Sequence, residues 1–117
     1  MIIAVDFDGT LCTNKYPDIG QPKEAVIAYV KEKQRDKAKV ILYTCRAGEK
    51  LNDAVTWCKK HGLNFDAVNT NIPEAIKRFG SDCRKIYADL YIDDKALSPK
   101  DIAKKQNGDM VNPYKTL

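Results

Sequence analysis

The chain has 117 residues, room for one domain and not for two independent cores. Its 44% hydrophobic and 31% charged residues are those of an ordinary globular protein, which excludes a low-complexity chain and removes the need for disulfide or metal staples. The 20 basic and 16 acidic residues leave a formal charge of +4, with the lysines scattered, so the excess reads as a solvated surface and not as a nucleic-acid patch.

Ile2-Ile3-Ala4-Val5 is a short apolar run, rich in β-branched residues, that stops at Asp6 and Asp8. It predicts a strand buried on both faces, as in a parallel sheet. A helix is expected to open near Pro22, with Val26, Ile27, Tyr29 and Val30 on its apolar side. Val40 to Tyr43 repeats the buried-strand pattern and ends at Thr44-Cys45-Arg46. Leu51, Ala54, Val55 and Cys58 then recur at helical spacing, and Lys59, Lys60, His61 and Gly62 supply the cations and glycine of a helix C-terminus. Phe65 to Val68 predicts a third strand, Glu74 to Phe79 a short helix closed by Gly80, and Ile86 to Ile92 a fourth strand ending in Asp93-Asp94. A helical turn is expected around Asp101 to Lys105.

Alternating strands and helices imply β-α-β units, hence an α/β three-layer, Rossmann-like sandwich: a parallel sheet of about four strands flanked by helices. The whole of 1–117 reads as one domain, with a recognisable core over about 1–97 and a lysine-rich tail over 98–117. The cysteines Cys12, Cys45, Cys58 and Cys83 form no C-x-x-C pair and His61 is the single histidine, which argues against zinc. No run approaches the roughly 18 apolar residues of a membrane span, and no basic segment with an apolar stretch opens the chain. A cytoplasmic protein with reduced thiols and no membrane partner is the expectation. Trp57, at helical spacing, reads as core and not as a stacking platform for a base.

Ligands of such sheets bind beyond the carboxyl ends of the strands, where three of the four expected strands here carry reactive polar residues. Asp6 and Asp8 stand two positions apart, so an extended chain turns both to one side, and Gly9 lets the backbone leave sharply. Asp93 and Asp94 would bring the carboxylates in that pocket to four. Like charges so close raise one another's pKa, and a hard divalent cation such as magnesium relieves the repulsion.

Asp6-x-Asp8-Gly9-Thr10 after a buried strand, Thr44 after a second, and Asp93-Asp94 after a third resemble the first, second and fourth motifs of the haloacid dehalogenase superfamily. The resemblance covers about residues 1–97. It implies a magnesium-dependent phosphomonoesterase: Asp6 attacks phosphorus and forms an aspartyl-phosphate, and Asp8 is the acid and then the base. Gly9, Thr10 and Thr44 would bind the phosphoryl group. Asp6, Asp8 through its backbone carbonyl, Asp93 and Asp94 would hold the metal. Thr44-x-Arg46 is similar to the phosphatase domains of polynucleotide kinase repair enzymes, which would make Arg46 a phosphate-binding residue, since a guanidinium grips phosphate oxygens bidentately; the competing reading is an arginine that caps a loop.

The departure from the family is its third motif, where a lysine is the rule and this chain has Asn69 to Glu74 without one. Lys77, Lys85 and Lys95 are the candidates to replace it, and Arg46 is expected to supply the missing charge. Neither insertion point used for cap domains in the family has room for one, so the resemblance is to a capless member with a cleft open to bulky substrates, a small phosphorylated molecule or a nucleic-acid end. Two other classes compete. A phosphorylatable receiver module would want an acid after its middle strand, where Asn69 stands. A catalytically weak phosphate- or metal-binding domain acting through partners would keep the acids and lose turnover.

Overall fold

The computed structural model describes residues 1–106; of the expected tail, residues 107–117 lie outside the described part. Four strands, β1 (Ile2–Val5), β2 (Lys39–Leu42), β3 (Ala67–Val68) and β4 (Leu90–Ile92), form one parallel sheet in the order β3-β2-β1-β4. The helices are α1 (Glu24–Arg35), α2 (Gly48–Lys60), α3 (Pro73–Phe79) and α4 (Pro99–Gln106). This is the expected α/β parallel-sheet architecture, and the two central strands are the two whose sequences read as continuous apolar runs.

Side chains alternate across a strand, and β1 and β2 use both faces. Ile3, Val5, Val40 and Leu42 join Ile27 and Val30 of α1 and Ala54 and Cys58 of α2 in the larger core. Ala4 and Ile41 point the other way, into a smaller core with Ile72, Ala75 of α3 and Ile86. Three layers result, with α1 and α2 on one face and α3 on the other. Trp57 belongs to the larger core, its ring meeting Phe7 edge-on at 5.5 Å and lying 4.0 Å from His61 at the end of α2.

The outer strands are shorter than their sequences predict. Phe65 and Asp66 stand outside β3 because the Asp66 carboxylate accepts the Val40 amide at 2.8 Å, a side chain doing the work of a ladder partner. Asp89 does the same before β4, accepting the Ile2 amide at 2.7 Å. Ile86 to Ala88 is irregular: the Tyr87 amide donates to the side chain of buried Asn71 at 2.7 Å. Ile86 is thus buried as predicted, but beneath the sheet and not within it.

Register places the site. Val5 pairs with Leu42 on one side and Ile92 on the other, so the three strands end level. Asp6, Tyr43-Thr44 and Asp93 therefore leave the sheet side by side at its carboxyl edge.

Candidate functional site

Asp6 continues β1, its amide donating to the Ile92 carbonyl at 2.9 Å, which anchors the first acid directly to the strand that delivers Asp93 and Asp94. Ligand oxygens of Asp6, Asp93 and Asp94 all lie within 4.8 Å of one another. Burial, with the carboxylates of Asp93, Asp94 and Asp8 adding to it, pushes the Asp6 carboxyl up to about 6. Three oxygen donors so placed are the donor set a hard divalent cation takes, so these residues fit magnesium.

Gly9 makes the cluster possible. Its φ of +82° is in the left-handed region that glycine enters freely, and a Cβ there would press into Asp94 Oδ2 and stand 2.9 Å from its Cγ. Thr10, expected to bind phosphate, is buried instead. Its hydroxyl oxygen accepts the Asp94 amide at 3.1 Å and lies 3.5 Å from Asp6 Oδ2, so it ties the first acid loop to the last. That is a correction: Thr10 organises the acids and is spent on them.

Asp8 lines the cleft over the strand ends but stands outside the close trio of Asp6, Asp93 and Asp94. Its carboxylate turns to Arg46, which donates from Nε to Oδ2 and from Nη2 to Oδ1, both at 2.8 Å. Arg46 is corrected too. It is buried, and its three remaining N–H groups reach the carbonyls of Pro17, Lys50 and Asp18 at 3.3, 3.4 and 2.9 Å. All five donors of the guanidinium are used within the protein, leaving none for a phosphate. The Arg46 guanidinium also lies over the rings of Phe7 and Tyr16, at 5.0 and 5.1 Å.

Thr44 follows β2. Asn69 Oδ1 accepts its amide at 2.8 Å, and its hydroxyl oxygen accepts the Arg46 amide at 3.2 Å, which leaves the hydroxyl hydrogen free to point outward. Asn69 sits at φ +54°, a conformation asparagine tolerates better than most residues. A cleft of about 460 Å³ opens over these strand ends, lined by Asp6, Asp8, Asn14, Tyr43, Thr44, Cys45, Asp93 and Lys95. Of the three lysines named as stand-ins for the missing motif, Lys95 lines this cleft. Lys85 lines a different cavity with Tyr87 and Tyr91, and Lys77 lies exposed in the last turn of α3. Sequence reasoning missed Asn14, Asn69 and Tyr43. A strand-terminal tyrosine and two loop asparagines carry no pattern of their own, although an asparagine just past a strand is a recognisable site for positive φ.

The fold and this carboxylate cluster define the chain as a parallel-sheet α/β protein with an acidic cleft at the strands' carboxyl ends. A solved structure, that of a conserved protein coded by a locus of Bacteroides thetaiotaomicron, matches it with 36% identity and a TM-score of 0.73, over 95% of this chain and 93% of that one. The chain belongs to the same family as that conserved protein. No protein-family model matches the chain, and no curated protein matches it.

Proposed function

We propose that the chain is a magnesium-dependent phosphohydrolase of the haloacid dehalogenase type that acts through an aspartyl-phosphate. The observation that carries the reading is the meeting of Asp6 with Asp93 and Asp94 within 4.8 Å, in a cleft also lined by Thr44, Asp8 and Lys95. An acid trio alone has many uses. A trio beside an outward-pointing hydroxyl and a cation, on three adjacent strand ends, matches the needs of phosphoryl transfer, where positioning and charge do most of the work.

Asp6, Asp93 and Asp94 would hold magnesium, with the Asp8 carbonyl as a further donor. When bound, the metal draws charge from a phosphoryl oxygen and keeps Asp6 ionised. An Asp6 carboxylate oxygen attacks phosphorus as the bond to the leaving oxygen breaks, and Asp8, entering this step with a proton on a lone-pair site that Arg46 leaves open, delivers that proton to the leaving oxygen. Water then attacks the aspartyl-phosphate, gives its proton to Asp8, and phosphate leaves with Asp6 regenerated. Thr44 donates its hydroxyl hydrogen to a phosphoryl oxygen, and Lys95, which lines the same cleft, supplies the fixed positive charge.

The substrate would be a phosphomonoester, a small molecule or a nucleic-acid end, because the residues between β1 and β2 hold only a loop and α1, and those between β2 and α3 only α2, β3 and loops, with no covering domain in either. No helix among the described residues is long and apolar enough to cross a membrane, in keeping with a soluble, cytoplasmic enzyme as part of the same proposal. Phosphate release from p-nitrophenyl phosphate, with magnesium and with chelator, tests the reading. Activity that needs magnesium and falls more than about 100-fold in Asp6→Asn supports it. Binding of magnesium and phosphate without turnover would favour the binding-domain alternative.

A further inference from the structure

We propose that Arg46 is a positioning residue for Asp8: it fixes the plane and reach of the proton-carrying carboxylate and makes no contact with the phosphoryl group. The proposal rests on the phosphohydrolase reading of the cleft and assigns within it a part that the strand-end motifs leave open.

The geometry supports this in three ways. First, the pair is bidentate, with both carboxylate oxygens held at 2.8 Å by two nitrogens of one planar group, so rotation about the Asp8 side chain is stopped. Second, the two partners are unequally covered. The Arg46 side chain is 1% exposed and that of Asp8 19% exposed, so the guanidinium lies behind the carboxylate and the carboxylate faces the cleft. Each carboxylate oxygen keeps another lone-pair site for a proton or a water. Third, Arg46 is itself immobilised, by the carbonyls of Pro17 and Asp18 from the loop after β1 and that of Lys50 in α2. The loop that contributes Asn14 to the cleft and the carboxylate that moves the proton are therefore held by one side chain.

A lysine cannot replace this grip, because an ammonium is a point donor without the two-pronged plane. Misplacing a reacting group by about 1 Å costs on the order of 100-fold in rate. The expected effect of Arg46→Lys is a fall in kcat of about tenfold or more, with the Ki of inorganic phosphate within about twofold of wild type, since the phosphate's own contacts are untouched.

The test measures kcat and phosphate Ki for the wild type, Arg46→Lys, Arg46→Ala, Asp8→Ala and the two double variants, on p-nitrophenyl phosphate, normalised to the folded fraction from circular dichroism. If Arg46 acts through Asp8, replacing it in the Asp8→Ala background changes kcat less than about twofold, because the group it positions is gone. A raised phosphate Ki with unchanged kcat overturns the proposal in favour of a phosphate contact. An equal loss in both backgrounds, or loss of the fold in both Arg46 variants, overturns it in favour of a purely structural role. A wild type without magnesium-dependent activity, or an active Asp6→Asn, refutes the phosphohydrolase reading itself, before any Arg46 variant is measured.

Discussion

Gly9→Ala puts the architecture of the acid cluster to a direct test. At φ +82° an L-residue meets its own backbone, a penalty of about 1–2 kcal/mol. The new methyl would also stand 2.9 Å from Asp94 Cγ. That contact is with the end of a side chain, so it is relieved when the Asp94 carboxylate swings away, at the expense of the trio. In a domain of this size about 1 kcal/mol corresponds to about 4 °C in Tm, so the metal-free variant should melt about 4–8 °C lower. Thermal unfolding followed by circular dichroism, alone and with magnesium, gives the first readout. The magnesium concentration for half-maximal phosphate release gives the second, and it should rise at least about tenfold. Gly80→Ala is the control: it carries the same backbone strain at φ +80°, and a Cβ there meets nothing within 4 Å. It should lower Tm similarly and leave the magnesium requirement alone. If Gly9→Ala behaves as Gly80→Ala does, Asp94 is no part of a metal site and the reasoning fails.

Metal-free protein should lose stability as the pH rises from about 4 to about 7. Asp6 goes from 3.8 unfolded to about 6 folded, so its contribution is full below the lower value and lost through the upper one, on the order of 1 kcal/mol after solvent screening; a melting series at several pH values that stayed flat would contradict the burial of Asp6 beside its acidic neighbours. Asp93→Asn should raise the magnesium concentration for half-maximal activity about tenfold or more at unchanged fold, and an unaltered requirement would remove Asp93 from the ligand set. Lys95→Ala should raise KM for p-nitrophenyl phosphate by about tenfold, while Lys85→Ala and Lys77→Ala leave it within about twofold; the reverse order would return the missing charge to another lysine. Burial pushes the Cys58 thiol up to about 12, so a thiol reagent at neutral pH should label exposed Cys45 and Cys83 and spare Cys58, as mass spectrometry of the native protein would read.

The central strands were legible because they are buried on both faces: Ile3, Val5, Val40 and Leu42 serve one core, Ala4 and Ile41 the other, and the sequence is apolar at every position. The outer strands were only half legible. An apolar run such as Ile86-Tyr87-Ala88 looks the same whether it lies in a ladder or beneath one, and here Asn71, 16 residues earlier, takes the Tyr87 amide. The carboxylates of Asp6, Asp93 and Asp94 were legible for the reason the strands were, since each follows an apolar run that stops level with its neighbours. The role of Thr10 was not, and that of Arg46 was open between phosphate binding and loop capping. Their partners, Asp94 and the carbonyls of Pro17 and Asp18, are 84, 29 and 28 residues away, and pairings over such distances are set by the packed loops.

The two corrections, to Arg46 and to the count of four acids, are one physical fact. Four carboxylates in a pocket with one divalent ion would leave a deficit of positive charge, which made the arginine after Thr44 look like the missing cation. The fold divides the charges differently. Asp8 and Arg46 neutralise each other as a bidentate pair, and that pair needs nothing from the phosphoryl group. On the proposed reading the three acids that remain would take a divalent ion and one further positive charge, and Lys95 lines the same cleft. An arginine already tied to five acceptors would have to break charge-assisted bonds to reach a substrate, whereas an exposed lysine has only water to give up. The lysine absent from the stretch before α3 is on this account supplied just after Asp94, two residues beyond the acid that closes β4.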